Sequence, residues 1–455
     1  MEFSSNQQYV HYSQSGFIYC FYIVEKTVYI DTIKNGKIYS TVKITENVTN
    51  YSVAIDAFGI FYLVSISSSG DLKYCVYKNN KWDCRYLTKY DAKSYRFKNL
   101  RIFVVNQKIH ILVAISNIVN SELWTLKHHY WNKHTWINKK VCDMVIEKYD
   151  VPFHADIDPY NNIHIVFKSL SNKKFQVYYC KYSIAYNTWS IPLRISNVSK
   201  DNSHPFILCD NQTGAHIVWS SFYKNNLEIF YLYNSKINSS KNDWSEIKQL
   251  SNERTNSTHP FIYQVNNDIN ILWRQNNKYF KKSINILNTT WSESSEIQFD
   301  YAMKLSPISL IGNTYKSLTK VKILTNYSLF LNHDFLMVGL DHILPKDDFT
   351  SKIDKDLSAL QSSKEKDENI PITKKSELEE NTIPDTNHAF LKLLNTIQNI
   401  QTKQEDINTL LNNLKKQQEI NVWKTDELTQ LCSDINDHLK NTNNRLFPKI
   451  KNLFK

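Results

Sequence analysis

Five tryptophans recur at nearly one spacing: Trp82, Trp136, Trp189, Trp244 and Trp291, in steps of 54, 53, 55 and 47 residues. A period near ~50 residues marks a chain assembled from repeated supersecondary units. Other features keep the same phase. Pro152-Phe153 returns as Pro205-Phe206 and Pro260-Phe261, and an Asp- or Asn-rich turn follows each pair. An apolar run comes next, beginning at His110, His164, His216 or Asn270. An aromatic, alternating segment then leads to the tryptophan, as in Phe175-Gln-Val-Tyr-Tyr-Cys180 before Trp189. Each unit reads as four short strands rich in β-branched and aromatic residues and punctuated by Asn, Asp, Gly and Ser. Four strands in about 40–50 residues make one blade of a β-propeller.

Residues 46–298 hold five clear units. Residues 8–45 read as a degenerate one, in which Lys34-Asn-Gly-Lys-Ile38 resembles Lys78-Asn-Asn-Lys-Trp82. Residues 300–343 carry further strand-like runs. The fold class is therefore mainly β, a propeller of six or seven blades over residues 1–343, with seven preferred. Residues 344–385, polar and poor in aromatics, read as a flexible linker. From Phe390 a heptad runs to Leu446 without Pro or Gly, which predicts a coiled-coil helix over 386–447. Its most apolar series includes Leu393, Ile400, Ile407, Leu414, Leu428 and Ile435, the expected self-association seam. A basic tail, 448–455, follows.

The net charge of +11 comes almost wholly from lysine, because arginine occurs at only seven positions. Nucleic-acid readers concentrate charge on one face and use arginine for bidentate contacts, so no nucleic-acid partner is expected. No run of eighteen apolar residues predicts a membrane span. Met1-Glu-Phe-Ser-Ser-Asn6 lacks the basic and apolar regions of a secretion signal, so a cytoplasmic location is expected, with surface association by another route left open. The seven cysteines are scattered and form no C-x-x-C, which predicts reduced, structural thiols. Neither cofactor nor metal is expected. The same-phase histidines His110, His164 and His216 should be dispersed around the ring, each in a packing and hydrogen-bonding role, and His204 and His259 share a second phase. Asp56, Asp158, Asp210 and Asp268 read as turn residues whose side chains bond the backbone.

Tyr182-Ser-Ile-Ala-Tyr-Asn-Thr-Trp189 and Ser283-Ile-Asn-Ile-Leu-Asn-Thr-Thr-Trp291 keep the Thr-Trp end of the Ser-x-Asp-x-Gly-x-Thr-Trp box. On these motifs the chain resembles the sialidase-like propeller superfamily over residues 8–340, with degenerate repeats of the bacterial kind. The resemblance implies a box turn remote from the active centre. It also implies, for an active sialidase, three arginines gripping a carboxylate plus a Tyr-Glu pair and an Asp. This chain departs from that pattern. Arg85 and Arg194 fall on outer strands and Arg101 within an inner strand; only Arg254 and Arg274 fall where a loop or channel can use them. No catalytic residue is assigned.

Two loops entering inner strands are alike: Ile195-Ser-Asn-Val-Ser-Lys-Asp-Asn-Ser-His-Pro-Phe206 and Leu250-Ser-Asn-Glu-Arg-Thr-Asn-Ser-Thr-His-Pro-Phe261. They present polar groups beside aromatic side chains, which suits a sugar ring with its hydroxyl edge and apolar face. The candidate ligand-binding residues are Asn197, Asp201, His204, Trp219, Tyr223, Asn252, Arg254, His259, Trp273 and Arg274. The alternative is that Ser-Asn and His-Pro-Phe only cap and turn the chain. The expected function is a non-enzymatic binding protein whose propeller head takes a glycan or protein ligand and whose coiled coil makes it multivalent. A glycan-active, sialidase-like hydrolase and a structural assembly protein are the alternatives.

Overall fold

The structure, a computed structural model, describes residues 7–340 apart from 133, 148–149, 224, 238–242, 253–254, 277, 298–304, 313, 316–317 and 332–333. The linker, the coiled-coil seam from Leu393 to Ile435, the basic tail and Arg254 lie outside the described residues.

The described chain is a β-propeller. Six antiparallel sheets follow one another along the sequence. Blade one comprises Gln8–Tyr12, Phe17–Val24, Thr27–Lys34 and Lys37–Thr45; blade two Val48–Ile55, Phe61–Ser67, Asp71–Lys78 and Lys81–Lys89. Blade three is Tyr95–Val105, Lys108–Asn117, Leu123–Trp131 and Trp136–Val145. Blade four is His154–Ile157, Ile163–Ser171, Lys174–Ser183 and a broken outer strand, Thr188–Trp189 with Leu193–Arg194. Blade five is Asn202–Cys209, Ala215–Tyr223, Asn226–Asn234 and Lys248–Gln249; blade six Ser257–Val265, Asp268–Gln275, Lys278–Asn285 and Ser295–Ile297. Three more strands, Ser306–Leu310, Asn326–Leu331 and Asp334–Met337, form a reduced seventh unit that pairs in parallel with Gln8–Tyr12. Ile308 and Leu310 share one core cluster with Val10 of blade one and Phe261 of blade six, so this unit joins the two ends of the ring.

Local sequence explains the hairpins. Two-residue turns in which both residues have positive φ twist the same way as the flanking strands. Asn79-Asn80 (φ 52 and 61), Asn106-Gln107 (48 and 64) and Asn172-Lys173 (51 and 66) are of this kind.

The five tryptophans occupy one structural position. Each stands opposite an equivalent residue of the third strand, on the outer strand for Trp82, Trp136 and Trp189 and as an isolated bridge ahead of it for Trp244 and Trp291: Tyr77 for Trp82, Trp131 for Trp136, Tyr182 for Trp189, Asn234 for Trp244 and Ile284 for Trp291. In blade one Ile38 takes that place, opposite Ile33. Each indole then packs on the preceding blade. Ring centroids are 6.1 Å apart for Trp82 and Phe21, 5.4 Å for Trp136 and Tyr74, and 5.5 Å for Trp189 and His128. They are 5.1 Å apart for Trp244 and Tyr179, and 5.0 Å for Trp291 and Tyr231. The repeat is thus a chain of blade-to-blade contacts, each an edge-to-face or tilted pair of the favourable kind.

The histidines of the second strands do hold structure together. His164 bonds Asp158 Oδ2 through Nε2 at 2.9 Å and the Tyr179 hydroxyl through Nδ1 at 2.8 Å. His216 repeats this with Asp210 at 3.1 Å and Tyr231 at 2.7 Å. Burial lowers the pKa of both imidazoles against the opposing pull of their carboxylates. Burial alone would raise the two aspartates, but hydrogen bonds from the histidines and from the turn outweigh it and lower them. His110 bonds His128 instead, at 3.0 Å.

Three expectations are corrected. Asp56, Asp158 and Asp210 accept two turn amides each, but Asp268 opens a strand and bonds the Asn285 side chain at 2.7 Å. Blade six turns in two residues between Val265 and Asp268, where blade five needs five between Cys209 and Ala215. Second, the Pro-Phe pairs are not equivalent. His154 pairs with Val166 as Phe206 does with Val218, so Pro152-Phe153 sits one place earlier. Third, the thiols are not all reduced: Cys75 and Cys84 form a disulfide. They face each other directly across the hairpin closed by Asn79-Asn80. Cys20, Cys142, Cys180 and Cys209 are free and buried, and burial raises each thiol's pKa.

Inner strands leave one edge of backbone amides toward the axis, and such groups need partners. Side chains of neighbouring blades supply them. Ser52 Oγ accepts from Ile102 N at 3.3 Å and Asp156 Oδ2 from Cys209 N at 2.6 Å, and Gln264 Oε1 accepts from Asn211 N, in the turn that follows blade five's first strand, at 3.0 Å. The short strand Val321–Ile323 pairs with blade six and sends Lys322 to the same region. Its ammonium donates to the carbonyls of Ile157 and Cys209, both at 2.9 Å, and lies 2.8 Å from the Asp156 carboxylate.

Among the described residues, no helix is long and apolar enough to cross a membrane.

Candidate functional site: an axial cavity

The N-terminal ends of the inner strands surround a cavity of about 540 Å3. This volume lies within the range usual for small-ligand sites. Apolar and aromatic faces come from Tyr9, Tyr51, Leu100, Val151, Phe206, Phe261 and Tyr327; polar groups come from Asn50, Asn99, Arg101, Glu147, Asp150, His154, Lys168, His204, His259 and Thr325.

Register explains why these side chains converge. Tyr9, Ser52, Arg101, His154, Phe206 and Phe261 hold the same place on the first strands of blades one to six, opposite Phe21, Val64, Leu112, Val166, Val218 and Leu272. In blades three, five and six a bulge follows from that place toward the strand's N-terminus. The register skips beside Asn99, before Phe206 and before Phe261. Asn99, His204 and His259 take φ of 49, 50 and 52 there, a region sparsely used by residues with a side chain.

The bulges bring His204 and His259 together, with ring centroids 4.1 Å apart. The expectation that same-phase residues are dispersed around the ring fails for this pair, because inner strands converge on the axis. His154 lies against Phe206 at 4.6 Å. Burial, then Arg101, then His204 push the His154 pKa down to about 3. Burial, then His259 and Lys168 push His204 down to about 3. His259 is lowered by burial and then by Arg274. At neutral pH the cavity therefore presents neutral imidazoles, each able to donate at one nitrogen and accept at the other. Lys168 is buried and held by Asp150 at 2.7 Å and Glu147 at 3.2 Å, with its ammonium 4.3 Å from the Phe175 ring. Among the described residues, no group of three or more His, Cys, Asp or Glu side chains could hold a metal ion.

The residues singled out in the sequence divide between places. His204 and His259 line the axial cavity. Asn197 and Trp219 line a smaller cavity of about 180 Å3, with Lys200, Asn202 and Phe230. There Trp219 is buried and donates through Nε1 to Asn202 Oδ1 at 3.1 Å, while the Lys200 ammonium lies 4.0 Å from the Tyr223 ring. Asp201 accepts from Phe175 N at 2.7 Å. Trp273 is buried and donates to Gln275 Oε1 at 3.3 Å, Asn252 is exposed, and Arg274 sits on a second strand outside the cavity wall. The Ser-Asn motifs are structural: Ser196 and Ser251 each accept a third-strand amide at 2.9 Å and donate back to Gln176 and Glu228.

Sequence reasoning missed Arg101, His154 and Lys168. Arg101 falls on an inner strand, as expected, with its register running unbroken from the Asn106-Gln107 turn; the bulge next to it at Asn99 leaves no sequence signal beyond a lone Asn.

No family model matches the chain, and no curated protein matches it. Solved structures do resemble it. The BP39L lectin from Burkholderia pseudomallei aligns at 9% identity over 74% of this chain and 98% of its own, with a TM-score of 0.49. An ulvan lyase of polysaccharide lyase family PL25, bound to a glucuronate- and sulfated-rhamnose-containing ligand, aligns at 11% identity over 74% and 97%, with a TM-score of 0.47. The fucose-recognising lectin of Aleuria aurantia, a six-bladed β-propeller, aligns at 11% identity over 65% and 96%, with a TM-score of 0.37. The blade architecture described above rests on strand pairing, independently of these likenesses.

Proposed function

We propose that this chain is a non-enzymatic glycan-binding protein whose site is the axial cavity. The observation that carries this reading is the combination in one concave space of the half-buried Tyr327 ring and an apolar wall built on Tyr9, Phe206 and Phe261 with the half-buried neutral imidazoles of His154, His204 and His259. Sugar rings need both, an apolar face to stack and hydroxyls to bond. Hydrolysis of a glycosidic bond instead needs two carboxylates free to act as acid and as base or nucleophile. The cavity's two carboxylates, Glu147 and Asp150, both serve Lys168. That supports binding over turnover.

Titration of the full-length protein against a glycan array, with Val151→Trp as a variant that fills the cavity mouth, tests this. We expect Val151→Trp to weaken every hit by at least about tenfold while the fold survives, since Val151 lies outside the strands and is not fully buried. Hits indifferent to Val151→Trp would overturn the assignment of the site.

Two finer elements belong to the same reading. Trp189-Ser190, Trp244-Ser245 and Trp291-Ser292 turn alike, each serine exchanging bonds with the third strand, which supports degenerate sialidase-like box turns. The heptads predict a coiled coil that makes the head multivalent. Light scattering should show an oligomer that Ile400→Lys with Ile407→Lys converts to monomers; a monomeric wild type at micromolar concentration removes multivalency.

A further inference from the structure

We infer that the axial cavity selects acidic sugars, and that Arg101 is the residue that receives their carboxylate or sulfate. This deepens the glycan-binding reading and rests on it.

Arg101 lines the cavity from the place on blade three that Tyr9, Ser52, His154, Phe206 and Phe261 hold on the other blades, all but Ser52 being at the cavity wall. It is the one cation among these six. Among the described residues no carboxylate pairs with it, and its Nε is buried without a hydrogen-bond partner. A buried donor left unpaired costs free energy, and more so on an ion. Two other cations near the axis are satisfied: Lys322 has a carboxylate and two carbonyls, and Lys168 has two carboxylates. The acids that could have answered Arg101 in this cavity are the ones already committed to Lys168. Nε itself is closed off from the cavity, but Arg101 is half-buried and lines it, so an acceptor that arrives with a ligand meets the rest of the guanidinium.

The geometry of the group narrows the choice. A guanidinium is a planar fork of donors that matches two oxygens of one carboxylate or sulfate. Its neighbours do not compete for that anion. Asn99 turns its amide to the Phe153 carbonyl, and the imidazole of His154 packs on Phe206. The half-buried ring of Tyr327, which lines the same cavity, remains for the sugar ring that carries the charge. Free inorganic anions would meet the fork but leave that ring uncovered.

The test is an array of matched oligosaccharides that differ at one position only, as neutral, uronate-bearing and sulfated forms, probed with full-length protein and followed by calorimetry on the best pair. We expect acidic members to bind at least about tenfold tighter than their neutral counterparts. The preference should vanish in Arg101→Gln and survive in part in Arg101→Lys, which keeps the charge and loses the fork. It should also shrink as salt rises from ~50 mM to ~500 mM, while neutral binding stays level. The salt series on wild-type protein decides the matter should Arg101→Gln fail to fold. The uronate and sulfate arms tell which oxyanion is taken. Neutral sugars binding as well as acidic ones would overturn this inference and leave the glycan site standing. No binding by any sugar would bring down both.

Discussion

His204 and His259, on the first strands of the adjacent blades five and six, pack ring against ring at the cavity wall, centroids 4.1 Å apart, although 55 positions separate them in the chain. Each is followed by a proline, which has no amide to leave unpaired where the ladder is interrupted. The pair ties blade five to blade six at the cavity, and both rings are held neutral by their surroundings.

That neutrality sets a pH limit on the fold. In the unfolded chain a histidine gains its proton near pH 6.5; in the folded protein His154 and His204 do so only near 3. Below the first value the unfolded state binds protons that the folded state refuses, so stability falls as pH drops from 6.5 toward 3 and is complete above 6.5. His110 and His129, pushed down to about 4 by burial, act in the same direction. Thermal melts between pH 7.5 and 4 should show a continuous decline. His154→Phe, which installs the residue found at this place in blades five and six, should make the decline shallower, with His204, His110 and His129 supplying what remains. A melting temperature indifferent to pH over that range would show that these imidazoles are not shielded.

Asp210 holds a turn and a histidine at once. Its Oδ1 accepts from Gln212 N at 2.8 Å and Gly214 N at 2.9 Å, and its Oδ2 meets His216 Nε2 at 3.1 Å. Asp210→Ala removes the acceptor from all three donors, two of them (Gly214 N and His216 Nε2) buried, and should cost about 3 kcal/mol. Urea denaturation measures this. Glycan binding should be unchanged, because the turn lies at the other ends of the strands that form the cavity. A loss under 1 kcal/mol, on the order of a single neutral hydrogen bond, would mean that water replaces the carboxylate.

The parts of this fold legible in the sequence were those written in local spacing. The tryptophans repeat because each must reach the preceding blade, and Ile38 was recognisable as their counterpart through its Lys-Asn-Gly-Lys turn. The disulfide was legible too. A two-residue turn at Asn79-Asn80 sets Tyr77 opposite Trp82 and therefore Cys75 opposite Cys84. Treating the cysteines as scattered along the chain hid that pairing. The cavity was not legible. It depends on bulges at Asn99, His204 and His259 and on the convergence of six strands, and neither leaves a periodic trace. Asp268 misled because blade six shortens its turn, so that Val265 stands where the aspartate of other blades would be.

The disulfide should act mainly on stability. It closes a loop of nine positions between adjacent strands already paired, so a contribution of about 2 kcal/mol is expected from loop closure. Reductant, or Cys84→Ser, should lower the urea midpoint while leaving the slope and glycan binding unchanged. An unchanged midpoint would mean that the hairpin is equally constrained in the unfolded chain.

Lys322 gives the sharpest test of how the ring is closed. Its ammonium reaches the Asp156 carboxylate at 2.8 Å and the carbonyls of Ile157 and Cys209 at 2.9 Å, joining blades four and five to a strand that pairs with blade six. Asp156 is itself buried and also accepts from Cys209 N. Lys322→Met strands that carboxylate without its counter-ion and should cost about 3–5 kcal/mol, the usual penalty for breaking a buried pair from one side. Removing the charge from both sides, Lys322→Met with Asp156→Asn, should recover a large part of the loss, because the amide can still accept from Cys209 N. A double-mutant cycle by urea denaturation reads the coupling directly. Coupling below 0.5 kcal/mol, the scatter expected about simple additivity, would show that the ring holds without this bolt and that strand Val321–Ile323 is fastened by its backbone pairing to blade six alone.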